Sequence, residues 1–332
     1  MKNVVALLIA VPGSLRRTEV EVLSAARRLA DGLTGTLTAV ILGAADDSWN
    51  ADAAAYGADR IARVEHDALS NYQAELMVEA ARQVCASLKA EVCFLPSSTY
   101  GFEVAPVLAQ KLNAAVVTDV VAAEADAATG HVKITKPVYG GKANSTLIAH
   151  QAPLVLAMRA RSVAPADKKS GATPEVTKIG VQLDASLAKS KITERRTEAG
   201  SGMRLEDARI IISGGRGLGG HDGFVLLNEL AGLLNGAVGA SRAACDQGWV
   251  PASWQIGQTG KKVAPDLYLA IGISGASQHM VGIGGAKHII AINKDDKAPI
   301  FQAVEVGVVD DFKTFVPALI QAVKRHKAGD IK

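Results

Sequence analysis

Ala208-Arg-Ile-Ile-Ile-Ser-Gly-Gly-Arg-Gly-Leu-Gly-Gly220 runs from isoleucines through a glycine-rich loop into helical spacing over Phe224–Leu234. A short continuous apolar run closed by glycine is the pattern of a strand buried on both faces. Strand, glycine loop and helix in that order predict an α/β unit built on a doubly wound parallel sheet. Gly215, Gly217 and Gly220 spell GxGxxG, a spacing that lets backbone N–H groups approach a pyrophosphate at a helix N-terminus. A dinucleotide fingerprint also calls for an acid about 20 residues further on, to hold a ribose hydroxyl. The stretch Leu234–Ser241 contains none, which weakens a nicotinamide-dinucleotide reading. Arg216, inside the loop, points to an anionic group nearby.

Working outward, the same material recurs. Leu267–Ile271 and Ile289–Ile292 read as further buried strands, and Val309–Val323 as a terminal helix with Pro317 as a kink. Of 32 glycines, 20 fall between Gly200 and Gly307, so this third of the chain is built to bring backbone close to something. Besides the first loop, small and hydrogen-bonding residues mix in Gly239–Arg242, Gln255–Gly260, Gly272–His279 and Asn293–Asp295. Loops at the carboxyl ends of parallel strands converge on one crevice, and several of them imply one extended, phosphate-bearing ligand.

The N-terminal part alternates strand and helix patterns. Val4–Ala10, Thr36–Leu42, Arg60–Val64 and Val92–Leu95 read as strands. Tyr72, Leu76, Ala80, Val84 and Leu88 share one helical stripe, and Phe102–Leu112 is a further helix. From Val116 to Met158, strand-like runs at Val132–Ile134, Pro137–Tyr139, Ser145–Ile148 and Leu154–Ala157 predict a β-rich tail closing the sheet. Residues Asp184–Leu205 carry alternating charge (Lys189, Lys191, Glu194, Arg195, Arg196, Glu198) and little periodicity. The expected organisation is an N-terminal α/β domain over 1–185, a linker over 186–205 and a second domain over 206–332. Such a linker predicts that the second domain swivels relative to the first.

Composition narrows the function. The 332 residues carry a formal net charge of +3 and only 4% aromatics, so neither a polyanion-binding surface nor a base-stacking platform is expected, and no nucleic-acid partner. Cys85, Cys93 and Cys245 form no CxxC pair, which excludes a thiolate zinc site and fits a reducing, cytoplasmic location. The apolar start Val4–Val11 reads as a strand rather than a signal segment, and no apolar run reaches the ~18 residues of a membrane span. His66, His131, His150, His221, His288 and His326 lack metal-ligand spacing, so no metal is expected.

Taken together, Ser213–Gly217, Val238-Gly-Ala-Ser-Arg-Ala243, Gln255-Ile-Gly-Gln-Thr-Gly260, Gly272-Ile-Ser-Gly-Ala276 with Gln278-His279, and Ala291-Ile-Asn-Lys-Asp295 with Ala298-Pro-Ile-Phe301 closely resemble the electron transfer flavoprotein α-subunit family. Order and spacing agree over roughly 208–317. Lys136-Pro-Val-Tyr-Gly-Gly141 and the helix Val104–Leu112 resemble it more loosely, and Ser277 stands where the family commonly has an apolar residue.

The resemblance implies an extended FAD in the second domain, a nucleotide-binding-like first domain that serves subunit docking, and no catalytic residues. By the resemblance, Arg216, Ser241, Gln258, Ser274, Asn293 and Asp311 hold phosphates, ribityl chain and adenosine end, with Gly275 and Gln278 in the same site. Thr259 would bond near the flavin N5, His279 would face the pyrimidine carbonyl edge, and Arg242 would lie over the ring. Read without the family, His279 is a satisfied structural histidine, Arg242 a surface charge and Asp311 a helix cap.

The implied partners are a β subunit, a flavin dehydrogenase as donor (acyl-CoA dehydrogenases among them) and a quinone oxidoreductase or other redox acceptor. An electron-bifurcating heterodimer using NADH and a NAD(P)-binding oxidoreductase subunit are the alternatives. The missing acid counts against the last.

Overall fold

The computed structural model describes residues 2–329 apart from 11, 12, 14, 142, 170, 172, 191 and 195–202. The chain forms two compact units, residues 1–196 and 197–332. Much of the charged stretch expected as a linker, including Lys191, Arg195, Arg196 and Glu198, lies outside the described residues.

The N-terminal unit runs β1 (Asn3–Ile9), α1 (Arg17–Gly32), β2 (Thr36–Leu42), α2 (Ser48–Ala55), β3 (Arg60–Val64), α3 (Ala74–Ser87), β4 (Val92–Pro96), α4 (Thr99–Leu112), β5 (Ala115–Val120), β6 (Ala122–Ala125), β7 (Val132–Val138), β8 (Ala143–Ala149), β9 (Leu154–Met158) and β10 (Glu175–Lys178). A seven-stranded parallel sheet has the order β10-β3-β2-β1-β4-β9-β5. The continuous apolar run of β1 has a simple cause. Val4, Ala6 and Leu8 enter one buried layer while Val5, Leu7 and Ile9 enter the layer on the other face.

The expected β-rich tail divides in two. β9 is not a closing element but lies inside the parallel sheet between β4 and β5, whereas β6, β7 and β8 form a separate antiparallel sheet. Val132–Ile134 and Pro137-Val138 belong to one strand, not two, and Tyr139 lies in the turn that follows it. Pro137 is paired with Asn144 near the end of β7, so the missing N–H interrupts the pattern without ending the strand.

The C-terminal unit runs β11 (Ile210–Gly214), α5 (His221–Leu233), β12 (Ala237–Ala240), α6 (Arg242–Asp246), β13 (Leu267–Ile271), α7 (Ser277–Ile283), β14 (His288–Asn293), β15 (Val306–Val309) and α8 (Phe312–Ala328). Its five parallel strands take the order β12-β11-β13-β14-β15. This is a doubly wound order whose direction reverses between β11 and β13. Leu269 and Ile271 of β13 face α5 and α8, whereas Tyr268 and Ala270 face the opposite layer with Ile256 and Ile283.

The terminal helix starts at Phe312 rather than Val309. Asp311 caps it, its Oδ1 accepting from Lys313 N at 2.9 Å, and Val306–Val309 pairs with β14 as an edge strand. An apolar run of three valines and a glycine carries no period that separates these two outcomes. No helix among the described residues is long and apolar enough to cross a membrane.

Candidate functional site

In the C-terminal unit the loops that follow the strands share one edge because all five strands point the same way. Five strands at about 4.8 Å spacing make an edge of about 19 Å, suited to an extended ligand. Backbone bonds tie neighbouring loops together. Ser241 N donates to Gly214 O at 2.9 Å, Gln258 N to Gln278 O at 2.7 Å, and Ile300 N to Ser274 O at 2.9 Å. Ala240 pairs with Gln255, and Asn293 Nδ2 donates to Ile273 O at 3.0 Å.

At the reversal point the GxGxxG loop behaves unlike a pyrophosphate cradle. Gly215 N donates to Ile271 O at 2.9 Å and Gly217 N to Gly272 O at 3.0 Å, so both donors are committed to the end of β13. A Cβ on Gly215 would sit 2.2 Å from Gly272 O, and one on Gly217 2.8 Å from Gly272 Cα. These glycines are therefore needed for loop-to-loop contact. Arg216, between them, is exposed and makes no ion pair among the described residues.

A cavity of about 180 Å³ opens beside this contact, lined by Gly217, Gly219, Gly272, Asn293, Asp311 and Lys313 among others. It brings Asn293 and Asp311 together, although the Asp311 side chain also caps α8. Asn293 Oδ1 accepts from Asp295 N at 3.1 Å, so its amide is fixed from both ends. Arg242, Gln258, Thr259, Ser274, Gln278 and His279 do not line this cavity. Gln258, Thr259, Ser274 and Gln278 are exposed and Gly275 is half-buried. Thr259 Oγ1 accepts from Gln255 Nε2 at 2.9 Å, and Ser277 Oγ donates to Gln278 Oε1 at 3.3 Å. Arg242 is 68% exposed and pairs with Asp246 at 3.2 Å.

Three buried polar atoms near this edge have no hydrogen-bond partner among the described residues: Ser213 Oγ, Ser241 Oγ and His279 Nδ1. His279 is only 7% exposed, and its Nε2 lies 2.9 Å from the hydroxyl of the fully buried Tyr268. Burial pushes the His279 pKa down to about 4, opposed in part by the Ile256 backbone, so the ring is neutral at pH 7. Burial likewise raises the Tyr268 phenol well above its ordinary value, with the Ser213 side chain opposing it. Sequence reasoning overlooked Ser213 and Tyr268. The available signal was Tyr268 itself, a lone aromatic in the otherwise aliphatic run Leu267–Ile271.

Comparison with known proteins bears directly on this edge. Residues 5–184 match the family model of the electron transfer flavoprotein domain, and residues 204–284 that of the electron transfer flavoprotein FAD-binding domain. The chain is 36% identical over 316 residues to the electron transfer flavoprotein subunit alpha of Thermoanaerobacterium thermosaccharolyticum, covering 95% of this chain and 96% of that one.

The chain belongs to the electron transfer flavoprotein alpha-subunit family. Two more relatives are the protein FixB of Clostridium saccharobutylicum, at 33% identity over 94% of this chain and 93% of that one, and the electron transfer flavoprotein subunit alpha of Bacillus subtilis, at 34% over 94% of each. The matched FAD-binding domain makes FAD the cofactor of this electron transfer flavoprotein family member. The residues present fit such a group. An extended edge, a polar cavity and buried hydroxyls awaiting partners are what a long, phosphate-bearing ligand requires.

Proposed function

We propose that this chain holds FAD along the carboxyl edge of its five-stranded sheet and serves as the α half of a soluble, cytoplasmic heterodimeric electron carrier. The observation that carries this reading is the set of partnerless buried atoms, Ser213 Oγ, Ser241 Oγ and His279 Nδ1, on the edge that also holds the cavity of Asn293 and Asp311. When bound, FAD supplies reversible acceptance of one or two electrons.

The chain's own residues bind and tune. Asn293, Asp311 and the backbone of Gly217 and Gly219 enclose one end of the ligand, and Arg216 supplies positive charge for phosphate. Ser241, Gln258, Ser274, Gly275 and Gln278 contribute contacts between the ends. Thr259 and His279 offer hydrogen bonds to the flavin, and Arg242 offers a cation. None is asked to act as an acid or base, so catalytic residues are not part of this reading. The N-terminal unit serves as the docking platform for a β subunit. The donor is a flavin dehydrogenase, and the acceptor a quinone oxidoreductase or another redox protein.

Co-expression with a β-type subunit tests this. A visible flavin spectrum, one FAD in this chain, and reduction by a dehydrogenase but not by NADH are expected. Absence of a flavin band overturns the reading, and direct reduction by NADH with a second FAD replaces the simple carrier by a bifurcating one. Arg242→Ala is expected to retain FAD while its first one-electron potential falls by roughly 60 mV, a tenfold change in equilibrium. An unchanged redox titration removes Arg242 from its role.

A further inference from the structure

The pairing of two buried polar side chains, Tyr268 and His279, calls for more explanation than packing. We propose that Tyr268 is a positioning residue that holds His279 as the neutral tautomer with its proton on Nδ1, making the ring a hydrogen-bond donor rather than a cation toward FAD. This rests on the FAD reading above.

Two proton arrangements are compatible with the 2.9 Å separation of Tyr268 Oη and His279 Nε2. Either the phenol donates to Nε2 and the ring proton sits on Nδ1, or Nε2–H donates to the phenol oxygen and Nδ1 is bare. The surroundings favour the first. Tyr268 Oη makes its one hydrogen bond among the described residues to His279 Nε2, so a fully buried phenol that accepted there would leave its own proton without an acceptor. That leaves the phenol proton to go to Nε2. With Nε2 accepting from the phenol, the single proton of the neutral ring sits on Nδ1. Nδ1 still lacks a hydrogen bond of ordinary geometry, so its proton is available to a ligand that reaches it. The phenol and the ring thus line up in one direction, from Tyr268 to His279.

The fold fixes this arrangement rigidly. Tyr268 lies within β13, paired with Ile211 on one side and Ile289 on the other. His279 sits in the first turn of α7, its backbone N donating to Ala276 O at 2.9 Å. The charge beside the flavin would then come from Arg242, and His279 would contribute direction without charge.

The test is long-range ¹H–¹⁵N correlation on histidine-labelled heterodimer at pH 7, with His279 assigned by loss of its signals in His279→Asn. The expected wild-type result is a single neutral tautomer protonated at Nδ1. In Tyr268→Phe, which keeps the ring and removes only the hydroxyl, that tautomer is expected to give way to a mixture or to the Nε2-protonated form. FAD content stays the same while the first one-electron potential shifts by about tenfold in equilibrium, or ~59 mV. A charged His279 ring in the wild type, an Nε2-protonated wild type, or an unchanged tautomer in Tyr268→Phe each overturns the proposal. The wild-type spectrum decides even if the variant fails to fold. Loss of the FAD reading appears separately, as a heterodimer with no flavin absorbance whatever the tautomer.

Discussion

In the N-terminal sheet, buried polar groups are spent on the fold. Ser24 Oγ donates to Val20 O at 2.8 Å and accepts from Ala166 N at 2.9 Å, fastening a distant segment to α1. Glu21 meets Arg17 at 2.7 Å and also accepts from Arg161 N. Arg27 Nε and Gln73 Oε1 lack partners, but the same side chains are held elsewhere, Arg27 by Asp59 and Gln73 by the Ser190 carbonyl. In the C-terminal sheet, the unpartnered Ser213 and Ser241 hydroxyls are the whole polar group of their side chains. A buried hydroxyl without a partner costs about 1–3 kcal/mol, a cost offset only when something supplies the missing bond. On the FAD reading proposed above, the ligand supplies what the second parallel sheet leaves open.

The largest effect expected from this contrast is at the glycine loop. Gly215→Ala places a Cβ 2.2 Å from the Gly272 carbonyl and 2.8 Å from Ile273 Cα, both backbone atoms that have no side chain to swing aside. A loss of about 3 kcal/mol or more is expected, confined to the C-terminal unit. Gly220→Ala meets nothing within 4 Å and has an extended φ of 167°, so it should cost little. Denaturation of the full chain followed by hydrogen exchange separates the two. Equal tolerance at both positions would restore the loop as an open phosphate cradle.

Acid should act on the two units unequally. His279 has a folded pKa of about 4 against an ordinary 6.5, so the unfolded chain takes up its proton first as pH falls. Its contribution is present in full above pH 6.5 and is lost as pH drops toward 4, at most about 3 kcal/mol over that window. Among the described residues no histidine of the N-terminal unit is buried. Exchange in the C-terminal unit should accelerate between pH 6.5 and 4.5 ahead of the other, and His279→Gln should flatten that dependence. Parallel acceleration in both units would break the comparison.

The smallest effect is the most direct probe. Ser24→Ala should cost about 1–2 kcal/mol, since two hydrogen bonds go and the Ala166 N–H loses its acceptor. Ser241→Ala should leave the stability of the flavin-free chain unchanged within about 0.5 kcal/mol and weaken FAD retention instead. A stability loss at Ser241 equal to that at Ser24 would mean that its hydroxyl has a partner within the protein.

Much of this architecture can be read from local patterns. Val4–Ala10 and Thr36–Leu42 announce doubly buried strands because both faces of a parallel sheet demand apolar residues. The helical stripe from Tyr72 to Leu88 follows from one face packing on that sheet. The position of β9 between β4 and β5 is not legible in Leu154–Ala157, since the same apolar run suits any slot in a sheet. Nor is the start of α8, because the valines of 306–309 favour a strand only once β14 offers an edge to pair with.

For the candidate site, the amino-acid sequence by itself determined which loops carry glycine and hydrogen-bonding side chains, and hence the expectation that one edge of one sheet meets an extended ligand. Those are properties of composition and spacing, which local chemistry fixes. Only the tertiary structure decided how the groups are used. It committed the N–H groups of Gly215 and Gly217 to β13, gave Asp311 a capping bond as well as a place in the cavity, and set Tyr268 against His279. A hydrogen bond depends on where both partners stand, and residues far apart in the chain acquire that relation only when the sheet brings their strands together.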